Sequence, residues 1–249
     1  MQMTLETLYA PSHRARLAQA IGERYSCRLY SGAPSVADWA ALSYIAQRYA
    51  LPGARLALMH VEESLFTGNL LGVGRVTGCT TIAAVIASAY EDRSRIHAGI
   101  LGESFCLEAT AMGLATCWIS GTYRKRMLEA DLRPNEAVLA IIAVGVPSNQ
   151  QPPIVRRRKP IEKICEGDVT RWPEEMRRVA EAVRQAPSSM NMQPWQLHLS
   201  SSRLTIDTAD RAQVELGVAL CHAELTLQQP HVWHFGAGRR ETAAWAQPK

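Results

Sequence analysis

The sequence predicts an α+β layer fold, and three observations point to it. Helical and strand periodicities follow one another without a regular βαβ rhythm, several short apolar runs bounded by glycine read as buried strands, and one long central run is apolar on nearly every side. With 249 residues, 47% of them hydrophobic, the chain can bury a substantial core as one large domain or as two closely packed halves.

Residues 34–50 set Trp39, Leu42, Ile45, Ala46 and Tyr49 at helical spacing with a proline near the start, which predicts a helix. RLALM (55–59) and TIAAVIASA (81–89) predict buried strands, with a glycine-rich segment between them. HAGILGESFCLEATAMG (97–113) reads as a central helix: Gly99, Gly102 and Ala109 would admit another helix, and Gly113 suits a C-terminal cap. TCWI (116–119) and AVLAIIAVG (137–145) predict core strands. QPPIVRRRKP (151–160) reads as an extended connection, dividing the chain into halves at 1–150 and 151–249. Beyond it, PEEMRRVAEAVRQ (173–185) carries a Met176, Val179, Ala180, Val183 stripe behind two first-turn glutamates, a strong helix signal. WQLHL (195–199) and RLTI (203–206) suit a hairpin turned by serines, followed by a helix over 210–228 and a short HVWHF strand. No short tandem repeat is visible.

Composition excludes more than it assigns. A net charge of +4 suits a small anion but is too mild for a nucleic-acid groove. The six cysteines lack a CxxC or framework spacing, which favours reduced thiols in a cytoplasm, and neither a signal peptide nor a membrane-spanning run is expected. GVGRVTG (72–78) is too widely spaced for a dinucleotide fingerprint and reads as turns. His231 and His234 would point to opposite faces of a strand, so no shared metal is expected. Glu62 and Glu63 read as solvated, and no GxSxG elbow or cysteine signature marks a nucleophile.

What remains suits a phosphorylated ligand. ERYSCRLY (23–30) sets Arg24, Ser26 and Arg28 at alternate positions, so an extended segment would point two guanidiniums and a hydroxyl the same way; a helix end with solvated arginines is the plainer alternative. Arg156 and Arg158 repeat the spacing in the connection, where a solvated linker or basic tail is the alternative. APSSMNMQPW (186–195) follows a helix and combines a helix-ending proline with short side chains able to cap a loop or reach a polar ligand.

RYSCR with its following helix, the buried helix running into GLATCWISG, the AVLAIIAVGVP strand, RRRKPIEKI and APSSMNMQPW together resemble the nitroreductase family of flavoproteins over about residues 20–225. The resemblance implies a nitroreductase-like α+β fold and FMN as cofactor, with NADH or NADPH as electron donor and a nitroaromatic, quinone or related small molecule as acceptor. In ordinary members two chains form a dimer: RxSxR grips the flavin phosphate and ribityl chain from one subunit, and the APSxxNxQPW loop comes from the other. Here that loop is missing after the first helix and arrives after the connection. The chain therefore resembles a single-chain branch in which two diverged halves make a monomeric pseudo-dimer, with LGVALCHAEL as its last helix and one FMN expected per chain. Carried over by motif, Arg24, Ser26, Arg28, Arg156 and Arg158 are expected at the phosphate. Pro187, Ser188, Ser189, Asn191 and Gln193 are expected beside the ring and ribityl hydroxyls, and Trp118, Ile119 and Ser120 at the reactive edge. No catalytic side chain is implied, since the flavin carries the chemistry. Segment 60–80 is a candidate lid. A flavin-storing or redox-sensing protein is the alternative, with neither a nucleic acid nor a membrane as partner.

Overall fold

The computed structural model describes residues 2–3, 5, 8–68, 74–128, 131–150, 157–200, 203–208, 211–228, 230–235 and 241–246. In chain order the elements are β1 (Gln2–Met3), α1 (Pro11–Glu23), β2 (Tyr30–Gly32), α2 (Val36–Arg48), β3 (Ala54–His60), β4 (Thr81–Ser88), α3 (Asp92–Ala111), β5 (Ala115–Ile119) and β6 (Glu136–Pro147). They continue with α4 (Glu174–Gln185), β7 (Trp195–Ser200), β8 (Arg203–Thr208), α5 (Gln213–Thr226), β9 (Val232–Phe235) and β10 (Glu241–Ala246). The mixed helix and sheet architecture is the α+β fold expected. The chain divides into two compact units, Glu23–Arg156 and Met1–Gly22 with Arg157–Lys249, so the first residues group with the second unit.

In the unit Glu23–Arg156 the sheet order is β2-β6-β4-β3, with β5 also paired to β6 and every pairing antiparallel. β6 is long enough to pair with β4, with β5, where Cys117 stands opposite Ala143, and near its end with β2, where Tyr30 stands opposite Pro147. The unbroken apolar run of β4 is buried from Thr81 to Ala87, as a strand covered on both faces must be. α2 starts on a capping box in which the Ser35 hydroxyl accepts from the Asp38 amide and the Asp38 carboxylate accepts from the Ser35 amide. It buries Leu42, Ile45 and Ala46, while Trp39 stacks on His60 at 3.8 Å between ring centroids.

α3 is buried continuously from Ile96 to Ala109, including Glu103 and Glu108. A side chain at Gly102 would sit 2.3 Å from Cη2 of Trp118. The notch at Gly102, one of the three positions expected to admit a second helix, is therefore filled by an indole of β5, as close packing requires of any such space.

In the other unit the sheet order is β1-β9-β10-β8-β7, again antiparallel. α4 buries Met176, Val179, Ala180 and Val183, the stripe visible in the sequence, and Ala182 beside it. α5 is buried from Leu216 to Leu225. The two units repeat one plan: α2-β3-β4-α3-β5-β6 and α4-β7-β8-α5-β9-β10, with strand neighbours β3-β4-β6-β5 and β7-β8-β10-β9. Leu101, Gly102, Cys106 and Trp118 recur at identical spacing as Leu216, Gly217, Cys221 and Trp233. The repeat spans a whole unit and is not a short tandem one.

Candidate functional site

In the unit Glu23–Arg156, the segment after α1 runs beside β5, with Ser26 bridged to Thr116 in parallel sense and the Cys27 amide donating to the Thr116 carbonyl at 2.9 Å. Extended backbone at Ser26 is as expected, but the two arginines differ. Arg24 is buried, at 2% side-chain exposure, and its Nε lies 3.5 Å from Oε1 of the fully buried Glu103. Arg28 is exposed and Ser26 half-buried. Both guanidiniums are near Cys117: burial pushes that thiol up, while the charges of Arg28 and Arg24 pull the other way.

Glu103 is the residue that motif reasoning missed. Its Oε2 accepts a 2.8 Å hydrogen bond from Nε1 of Trp118, so one buried carboxylate of α3 touches two residues expected at opposite ends of a flavin. A charged residue inside the run that reads as a central buried helix was the available signal, since buried carboxylates need partners. Ile119 is buried and Ser120 exposed at the end of β5. Among the described residues, Nε and Nη1 of Arg24 have no hydrogen-bond partner. Each such buried donor costs about 1–3 kcal/mol when left unmade, so these donors suit an anionic ligand.

The thiols around this site are poor nucleophiles. Burial raises Cys27 and Cys106 as well as Cys117, and pushes Cys79 up to about 11. Among the described residues no group of His, Cys, Asp and Glu could hold a metal ion. His231 is buried and His234 exposed, on opposite sides as the strand period required.

In the other unit, the loop after α4 holds itself in a demanding conformation. Met190, Asn191 and Gln193 have φ of 48°, 57° and 44°, a region that costs a residue with a Cβ about 1–2 kcal/mol. Side chains fix it. The Ser188 hydroxyl accepts from the Gln193 amide at 2.8 Å, and Asn191 Nδ2 donates to the Arg157 carbonyl at 2.9 Å. Arg158 donates to Asn191 Oδ1 and to the Gln185 carbonyl, each at 3.0 Å. Gln193 Oε1 accepts from the Lys159 amide at 2.9 Å, and Lys159 Nζ donates to the Gln193 carbonyl at 3.2 Å. Pro187 is buried, Ser189 exposed, and Met190 and Met192 project outward at 90% and 59% exposure. The structure thus brings Arg158, Ser188, Asn191 and Gln193 together, and adds Lys159. Arg156 and residues 69–73 of the candidate lid lie outside the described residues.

The family model described as "Putative TM nitroreductase" matches residues 16–227. A putative nitroreductase from Thermotoga maritima has the same fold, with a TM-score of 0.66 and 22% identity over 96% of this chain and 97% of that one. A nitroreductase with bound FMN from Desulfitobacterium hafniense matches at a TM-score of 0.43 and 18% identity, over 56% of this chain and 93% of that one. No curated protein matches the sequence.

Proposed function

The chain belongs to the putative TM nitroreductase family, and from that premise we propose that it is an FMN-dependent oxidoreductase. The observation that carries the proposal is the buried Arg24 guanidinium with two unpartnered donors, in the segment whose motif matches a flavin-phosphate grip. A phosphate dianion would satisfy donors that nothing else in the described unit fills. Bound FMN would supply the redox chemistry, taking hydride from NADH or NADPH and passing electrons to a nitroaromatic, quinone or related acceptor.

The residues' part is to bind and orient. Arg24 offers a fixed buried charge, while Ser26 and the exposed Arg28 add a hydroxyl and a second cation for the phosphate, with Arg156 and Arg158 assigned there by motif. The rigid loop supplies Pro187, Ser188, Ser189, Asn191 and Gln193 to the ring and ribityl hydroxyls. Trp118, Ile119 and Ser120 present backbone to the reactive edge, where a preorganised donor stabilises developing negative charge without a catalytic side chain. The two units, repeating one strand order, stand for the two subunits of an ordinary member, so one chain does the work of a pair. The six free, buried cysteines suit a reducing cytoplasm. No described helix is long and apolar enough to cross a membrane.

Equilibrium dialysis of FMN against the apoprotein tests the cofactor assignment. One FMN retained per chain is expected; no retention would contradict it.

A further inference from the structure

We infer that Glu103 is a positioning residue for flavin-phosphate binding, acting through Arg24, an inference that rests on the FMN assignment above. A buried guanidinium can serve a ligand only if something holds it in place before the ligand arrives, and that role falls to the Glu103 carboxylate. It lies 3.5 Å from Arg24 Nε without forming a hydrogen bond to it, so the charge is retained while the Nε and Nη1 donors stay available. The carboxylate is itself pinned by the Trp118 indole at 2.8 Å, and that indole is wedged over Gly102 one residue earlier on α3. Arg24, Glu103 and Trp118 therefore form one mechanical chain from the phosphate grip to the strand expected at the reactive edge.

The other unit holds a carboxylate–tryptophan pair that differs in origin, since at the repeat spacing Glu103 corresponds to Val218 and Glu224 to Ala109. Glu224, buried in α5, accepts from Nε1 of Trp233 at 2.9 Å, the tryptophan that repeats Trp118. His231 Nε2 lies 2.6 Å from the same carboxylate oxygen, and Arg14 lies 2.5 Å from the other while also donating to the Glu224 and Leu227 carbonyls. A carboxylate and tryptophan with a hydrogen-bonded arginine make a structural knot; the same pair beside an arginine with unpartnered donors makes a receptor.

Fluorescence titration of the apoprotein with FMN and, separately, with riboflavin tests the inference, because riboflavin lacks the phosphate. Glu103→Gln is expected to weaken FMN at least tenfold and leave riboflavin within twofold. Arg24→Ala should show the same selectivity, and the double variant should bind FMN no worse than Arg24→Ala alone. Glu103→Asp, which keeps the charge, should recover part of the FMN affinity and also serves if the glutamine variant does not fold. Equal loss of both flavins in the Glu103 variants, unchanged binding or tighter FMN binding would overturn the inference. If the wild-type protein binds FMN no better than riboflavin, the phosphate assignment falls with it; if wild type discriminates and Glu103→Gln discriminates equally, only the role of Glu103 falls.

Discussion

At the scale of single residues, two arginines of one short motif carry different weights. Arg24 is buried with unpartnered donors and Arg28 is exposed, so a phosphate bond to Arg24 is worth more than one screened by water. Arg24→Ala should lower FMN affinity by roughly tenfold or more, the effect of a charge-assisted bond worth about 1.5–3 kcal/mol, whereas Arg28→Ala should cost several-fold less. Retained flavin after gel filtration checks both, and unchanged flavin content in both variants would remove the phosphate assignment. Gly102 gives an independent test, since a methyl there would meet the Trp118 indole at 2.3 Å. Gly102→Ala should destabilise the fold by about 1–3 kcal/mol in urea, as forced overpacking does.

At the scale of elements, the loop over residues 188–193 shows why its composition is unusual. Asparagine tolerates positive φ better than most residues with a Cβ, and at Asn191 its amide also bonds the Arg157 carbonyl and Arg158. Asn191→Ala should therefore cost about 1–2 kcal/mol in thermal unfolding, from strain and lost bonds together. Much of this was legible beforehand. The strands with continuous apolar runs and the stripe of α4 declare themselves because burial on both faces or on one face leaves a periodic trace. α1 did not, because only Leu17, Ala20 and Ile21 are buried in a run of otherwise polar and charged residues. Nor did β10, whose Ala-rich sequence gives little strand preference and whose place follows from pairing with β8 and β9. Motif matching pointed to Arg24 and Trp118 but could not supply Glu103, which becomes meaningful only when α3 packs against β5. The loop's dependence on Lys159 was hidden for the same reason.

At the scale of the whole molecule, one unit keeps an arginine with unpartnered donors, while the other hydrogen-bonds its arginine to a carboxylate that stands at a different position of the repeat, Glu224 matching Ala109 rather than Glu103. Arg14→Ala should accordingly lower thermal stability without changing FMN affinity, in contrast to Arg24→Ala. Each unit also carries a carboxylate held below its ordinary range. The Arg55 hydrogen bonds bring Glu136 down to about 2, against an opposing push from burial. For Glu224, burial pushes upward, but His231, Arg14 and Trp233 outweigh it. A depressed folded-state value means that stability is fully present above the unfolded carboxylate range, near pH 4.5, and is lost as pH falls through the folded value. Acid unfolding should therefore steepen between about pH 4.5 and 2, and Glu136→Gln should flatten that part of the curve. A wild-type curve without slope there would contradict the Arg55–Glu136 contribution.

The central claim is redox turnover on a bound flavin, and an anaerobic visible spectrum of the FMN-reconstituted protein tests it most directly. The flavin absorbance should bleach on adding NADH or NADPH and return when a nitroaromatic or quinone follows. Bound flavin that stays oxidised with both nicotinamides would contradict the oxidoreductase assignment and favour a storing or sensing role.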